Sequence, residues 1–266
     1  MTLQEALQTG TPLAGELVID SHCHMGPWYN FHVPEDGSPE AMVHSMDLLG
    51  IDVAIVSPHV CIGPDYHRGN REVAAAAAQF PGRIVPYITV NPNAGAAEIQ
   101  TEIDYWDSQG PICAFKIHPG THQYKASGEN YFPVYEYAQA HGLPILVHSW
   151  AGDRLGGPSV LAGLAEKYPE AKYITAHSAT SWQMVDEAAA ETKAHDNLYF
   201  DVAGSILLYG CLEEMVERLG VDKILFGTDN PFIDPRPGLG RLLMARISDD
   251  DKRQILGLNA KRIFGL

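Results

Sequence analysis

The sequence predicts an α/β protein, a (β/α)8 TIM barrel built as one domain over residues 1–266. Three observations predict it. Short apolar or β-branched runs alternate with segments of helical spacing through short connections, the pattern of a parallel sheet. Eight such units fit in 266 residues, which is what closure into a barrel requires. Several runs end in a histidine or an aspartate, at the strand ends where such barrels carry their active sites.

The first run, Leu17-Val18-Ile19-Asp20-Ser21, ends in His22-Cys23-His24. Alternate side chains of a strand share a face, so His22 and His24 project together and Cys23 points away. Two adjacent imidazoles can grip one metal ion. Residues 25–37 have loop composition and carry Trp28, Tyr29, Phe31 and His32, either as a substrate-facing loop or as a cover over the barrel end. Ser38-Pro39-Glu40 then supplies an N-cap, a proline at the first helical position and an acid in the first turn. Met42, Met46 and Leu49 follow at helical spacing, as core, up to Gly50.

A second strand is expected over 52–57, followed by a loop bearing His59, Tyr66, His67 and Arg68 as candidates for substrate contact, and by a helix over 73–80. A third strand covers 84–90 and a helix 96–106. The fourth strand, 112–118, places Lys116 and His118 on one face. A lysine within an apolar strand needs a reason. It is a carboxylated bridging ligand, a substrate-binding cation, or a buried lysine neutralised by an acid such as Asp20. The alternation continues with helix 131–141, strand 144–148, helix 158–168, strand 172–177, helix 181–195, strand 197–202, helix 211–219 and strand 223–229. Two helices close the chain, near 239–247 and 249–264. Strands five, six and eight end in His148, His177 and Asp229, which join His22 and His24 on one rim.

Composition narrows the function classes. A net charge of −15 disfavours nucleic acids and anionic membranes as partners and leaves small molecules. The four cysteines (Cys23, Cys61, Cys113, Cys211) form no CxxC pair, as expected of a reduced cytoplasmic protein. Residues 1–15 show no signal-peptide pattern, and no segment approaches a membrane span. Barrels of this kind commonly assemble as dimers or tetramers, so a homo-oligomer is expected.

Imidazole and carboxylate donors with an open position point to Zn2+ first, with Mn2+ or Fe2+ also suited. Such an ion activates water or polarises a carbonyl oxygen. Asp229 is placed to cycle a proton, and His177, unless it is itself a ligand, to face a developing oxyanion.

The chain resembles the amidohydrolase superfamily, in particular the amidohydrolase-related group that includes decarboxylases of the aminocarboxymuconate semialdehyde type. The residues that carry the resemblance are Val18-Ile19-Asp20-Ser21-His22-Cys23-His24, Phe115-Lys116-Ile117-His118-Pro119, Phe226-Gly227-Thr228-Asp229-Asn230-Pro231 and the closing Ile255-Leu256-Gly257-Leu258-Asn259-Ala260-Lys261-Arg262-Ile263-Phe264. It implies a metal held by His22, His24 and His148, with Asp229 as fourth ligand or proton acceptor and His177 acting on the activated water. Some superfamily members hold two ions, which here would recruit Lys116 and His177. The expected function is a metal-dependent hydrolase of an amide, ester or lactone carbonyl in a small carboxylated molecule; the alternative is a nonoxidative decarboxylase on the same ligands. Lys116, His118, Trp28 and His59 are the expected substrate contacts.

Overall fold

The computed structural model describes residues 3–29 and 32–266. Eight parallel strands run in sequence order around a barrel: β1 Ile19–Met25, β2 Val53–Pro58, β3 Ile84–Thr89, β4 Ala114–Ile117, β5 Pro144–Val147, β6 Lys172–Thr175, β7 Leu198–Asp201 and β8 Ile224–Leu225. β8 returns to β1 through the Ser21 N–H on the Phe226 carbonyl (3.0 Å) and the His24 N–H on the Asn230 carbonyl (2.8 Å). The expected (β/α)8 barrel is therefore the fold.

Helices α1 Leu3–Thr9, α2 Pro39–Leu49, α3 His59–Ile62, α4 Tyr66–Gln79, α5 Ala96–Gln109, α6 Pro119–His122 and α7 Phe132–His141 lie on the first half. The second half carries α8 Pro158–Lys167, α9 Trp182–Thr192, α10 Cys211–Leu219, α11 Pro235–Met244, α12 Asp249–Arg253 and α13 Asn259–Phe264, with a π-turn between the last two. Ser38 caps α2 through its side chain on the Ala41 N–H, as its sequence predicts.

Three local differences from expectation have physical causes. Asp65 accepts from the Arg68 N–H and starts α4 at Tyr66, seven residues earlier than the alanine run suggests. That places Tyr66, His67 and Arg68 on a helix instead of a substrate loop: Tyr66 is buried, His67 pairs with Glu98 and Glu102, and Arg68 pairs with Glu72. Asp234 and Pro235 likewise begin α11 early. At the amino end, α1 buries Leu3 and Ala6, an amphipathic turn too short to stand out in the sequence.

The barrel has two layers of lumen. Ile19, Ile55, Tyr87, Leu146, Ile174, Tyr199 and Leu225 fill the lower part, and Ala260, Ile263 and Phe264 of α13 plug its floor. Strand alternation then carries the polar residues into the upper lumen: Lys116 two residues after Ala114, His148 after Leu146, Asp201 after Tyr199. β1 needs a correction to reach the same result. Its register against β2 slips between Asp20 and Cys23, a bulge that lets His22 and His24 follow Ile19 into the lumen.

Candidate active site

The upper lumen gathers the carboxylate of Asp229 and a ring of imidazoles. Asp229 Oδ1 lies 3.2 Å from His22 Nε2 and 3.4 Å from His24 Nε2, and its Oδ2 lies 3.5 Å from His177 Nδ1. Asp229 and His177 both have left-handed backbones (φ 63° and 59°), a conformation that costs a non-glycine residue energy and that clusters at functional sites.

The other ring nitrogens explain the orientation. His24 Nδ1 is 2.9 Å from the Ser57 carbonyl, which only accepts, so Nδ1 carries the proton. His22 Nδ1 donates to Asp201 Oδ2 at 2.8 Å, and Asp201 Oδ1 accepts the His177 and Ala203 backbone N–H groups. Burial would raise Asp201, but His22 and His177 outweigh it and hold the carboxyl below its usual range. His22 itself is pushed down to about 4, by burial first and then by the Lys116 charge, and stays neutral.

His22, His24 and Asp229 thus converge three acceptor atoms, two of them imidazole lone pairs fixed by hydrogen bonds on the far side of the ring. Such a set repels itself unless a cation or proton sits between its members, and it is the donor set of a divalent metal ion with supported histidines. The residues therefore fit the expected ion.

Lys116 is fully buried with Nζ 2.9 Å from His22 Nε2. Burial lowers it to about 8, against the opposing pull of Asp229 and Asp201. These two acids face it, whereas Asp20 turns toward the barrel seam, accepting the Thr228 hydroxyl at 2.5 Å and the Thr228 and His22 N–H groups. Asp20 is thus not the counter-ion of Lys116: the β1 bulge aims it at the β8 end. Burial, opposed by the Thr228 hydrogen bond, raises its carboxyl to about 7.

Above this floor is a cavity of about 210 Å³ walled by Trp28, His59, His118, Trp150, Phe232 and Ile233, with His24, His148, His177 and Asp229 beneath. Lys116 lies under His22 and is not part of the cavity wall, so the geometry gives it no direct contact with a bound molecule. His118 is the N-cap of α6, accepts from the Thr121 N–H, and stacks on His148 with centroids 3.7 Å apart. His148 does not join the His22, His24, Asp229 trio: its Nδ1 is 3.2 Å from His177 Nε2 and its Nε2 accepts from Trp150. His59 donates Nδ1–H to the Gly26 carbonyl (2.7 Å) and has no hydrogen-bond partner at Nε2; burial and the nearby His24 hold it neutral, at about 3. Trp28 packs on His59, Tyr29 and His32 are exposed, and Phe31 lies outside the described residues.

Asp201 and Trp150 join this network of side chains, and the sequence pattern does not single them out. Asp201 carried a signal, an acid on the inward face of the apolar run Leu198-Tyr199-Phe200; Trp150, two residues past a strand, carried none. All four cysteines are free, and among the described residues no helix is long and apolar enough to cross a membrane.

Comparison with solved structures agrees with the fold. The chain is similar to 5-carboxyvanillate decarboxylase from Novosphingobium aromaticivorans, complexed with manganese and 4-hydroxy-3-methoxy-5-nitrobenzoic acid: TM-score 0.76, 15% identity, covering 97% of this chain and 99% of that one. It is also similar to 2,6-dihydroxybenzoate decarboxylase from Rhizobium (TM-score 0.66, 16% identity, 94% and 99% covered). A dihydroxybenzoic acid decarboxylase from Polaromonas, with bound manganese and the inhibitor 2-nitroresorcinol, matches at TM-score 0.68 and 18% identity, covering 94% and 97%. A family model described as amidohydrolase matches residues 19–266, from the first barrel strand to the last residue, and the chain belongs to that family.

Proposed function

We propose that this protein is a metal-dependent nonoxidative decarboxylase of a small, flat, hydroxylated aromatic or unsaturated acid. This reverses the order in which hydrolysis and decarboxylation stood on the sequence. The observation that carries it is the cavity: indole and phenyl walls from Trp28, Trp150 and Phe232 stand directly over Asp229 and the imidazoles. Such walls accept a planar ring and exclude water. Hydrolysis needs an attacking water; loss of carbon dioxide does not. The likeness to structures named as decarboxylases points the same way.

His22, His24 and Asp229 would hold a divalent ion, which would supply positive charge beside a substrate carboxylate. We propose one ion, because Asp201, the acid of the second possible trio with His22 and His177, already spends its oxygens on His22 and two backbone N–H groups. The donor set suits Zn2+, Mn2+ and Fe2+, and manganese in two of the similar structures makes Mn2+ the first to load.

The reaction replaces a C–CO2− bond by C–H, so one proton must reach the carbon. His177, whose Nδ1 lies 3.5 Å from Asp229 Oδ2 at the cavity floor, is the group placed to hold and pass it. His59 Nε2 is the acceptor offered to a substrate hydroxyl, and His118 and Trp150 flank the ring. Lys116 acts from below as a fixed positive charge beside His22.

The test is carbon dioxide release. Mn2+-loaded protein is incubated with a panel of mono- and dihydroxybenzoates, and incorporation of labelled bicarbonate into the corresponding phenols reports the reverse direction. Turnover of esters or lactones with no carbon dioxide from any acid returns the assignment to hydrolysis. Sedimentation of the same preparation tests the expected dimer or tetramer.

A further inference from the structure

The cavity opens among the segments that join each strand to the helices after it, and those segments are almost devoid of positive charge. Across residues 26–38, 59–65, 90–95, 118–131, 148–157, 176–181, 202–210 and 226–234, the only lysine and arginine are Lys125 and Arg154. The fold brings them together. The Ala126 N–H donates to the Leu155 carbonyl at 2.7 Å, so Lys125 and Arg154, each one residue earlier, stand on touching stretches of backbone. Gly156 packs the second stretch down onto the strand ends: a Cβ there would lie 3.0 Å from the His148 carbonyl oxygen and 3.0 Å from Pro119 Cγ. The same two loops wall the cavity, one through His118 and the other through Trp150.

Both side chains are exposed, and among the described residues neither makes an ion pair. Most arginines of the chain are engaged: Arg68, Arg83, Arg218, Arg236 and Arg246 each have a carboxylate oxygen within 3.4 Å. Asp153, next to Arg154 in the chain, accepts the Leu155 N–H at 2.8 Å instead. A net charge of −15 repels an approaching carboxylate over most of the surface. Two unpaired cations on the rim reverse that repulsion where the cavity opens.

We propose that Lys125 and Arg154 form a cationic entry site that draws small carboxylates to the cavity mouth. Neither residue lines the cavity, so the pair acts on encounter and leaves the chemical step alone. Its ligand is the acid group of the substrate, and in that respect the proposal rests on the reading of this protein as an enzyme acting on an acid.

The experiment is NMR on 15N-tryptophan-labelled protein in the presence of Zn2+, which is diamagnetic, at about 10 mM salt, where screening sets in only over about 30 Å. Two nitroxide probes are compared, the carboxylate 3-carboxy-PROXYL and the neutral 3-carbamoyl-PROXYL. The ratio of their relaxation enhancements at the Trp150 indole N–H reports the potential at the rim. The double variant Lys125→Gln, Arg154→Gln should lower that ratio about two- to fourfold. Trp106, whose indole N–H is held by Glu102 on α5, should keep its ratio and its chemical shift, which reports that the variant is folded. The control Lys193→Gln, Lys261→Gln removes the same charge from exposed positions after α9 and in α13, at the opposite end of the barrel, and should leave Trp150 unchanged. An unchanged Trp150 ratio in the rim variant, or an equal fall in the control, overturns the proposal. With a hydroxybenzoate that is turned over, the rim variant should lose kcat/KM by a similar factor at low salt and keep kcat; an unchanged kcat/KM overturns it as well. Absence of turnover from every acid fails the decarboxylase reading alone, because the nitroxide ratio needs no reaction.

Discussion

His24 turns a lone pair, not a proton, toward Asp229. With its Nδ1–H given to the Ser57 carbonyl, His24 Nε2 faces Asp229 Oδ1 at 3.4 Å, acceptor against acceptor. A divalent cation relieves that repulsion, and the ion should therefore stabilise the fold as well as serve the chemistry. At an ion concentration a hundred times Kd, binding adds about 2.7 kcal/mol. For a chain of this size chelation should then lower Tm by roughly 5–10 °C. Calorimetry with and without EDTA measures this; in His24→Ala, where the ion has lost a donor, the EDTA shift should vanish.

Asp201 holds His22 from behind. Its Oδ2 accepts the His22 Nδ1 proton at 2.8 Å, which keeps the Nε2 lone pair aimed at the site. Asp201→Asn keeps the size of the side chain and removes the charge. Loss of such a support typically costs about 10- to 100-fold in metal affinity, and that is the loss expected here. Titration with Mn2+ followed by paramagnetic relaxation reads it directly, and unchanged affinity would disconnect Asp201 from the site.

His122 gives the protein a pH-dependent stability outside the site. Its Nε2–H donates to the Ile62 carbonyl (3.1 Å), its Nδ1 faces the Tyr131 hydroxyl, and burial pushes its pKa down to about 4. The folded state thus resists a proton that the unfolded chain takes up near pH ~6.5. The His122 contribution is fully present above pH ~6.5 and is lost as pH falls toward about 4. Between pH 7 and pH 5 the loss should be on the order of 2 kcal/mol. Urea unfolding at both pH values measures it, and His122→Gln should flatten the slope by that amount.

Gly227 is the floor under His22. A Cβ placed there would lie 2.9 Å from His22 Cβ and 3.3 Å from Ala203 Cβ. Gly227→Ala must displace the imidazole, at a cost of about 1–3 kcal/mol in stability. Weaker metal binding should accompany it. A variant as stable as the parent, with the same Mn2+ affinity, would show that the β8 end gives way instead.

The barrel was legible because period-2 and helical patterns are local, and eight repetitions leave little choice of architecture. The rim histidines and Asp229 were legible for the same reason: each ends a strand whose direction is set by its neighbours. The extent of α4 was not, since the cap at Asp65 is a single side-chain contact that the alanine run hides.

By itself, then, the sequence determined the fold, the identity of the residues at the mouth, and the faces of β4 to β7 on which Lys116, His148 and Asp201 stand. Only the tertiary structure decided what those residues do to one another. The bulge in β1 is a mismatch between two strands and exists in neither alone; without it His22 and His24 would leave the lumen. Lys116 sits on His22 and not on Asp20, and His148 pairs with Trp150 and His177, because proton ownership in a buried network is set by which partners can only donate and which can only accept. Lys116 and His22 come from β4 and β1, and His148 and His177 follow β5 and β6; closing the barrel is what brings each of these pairs together.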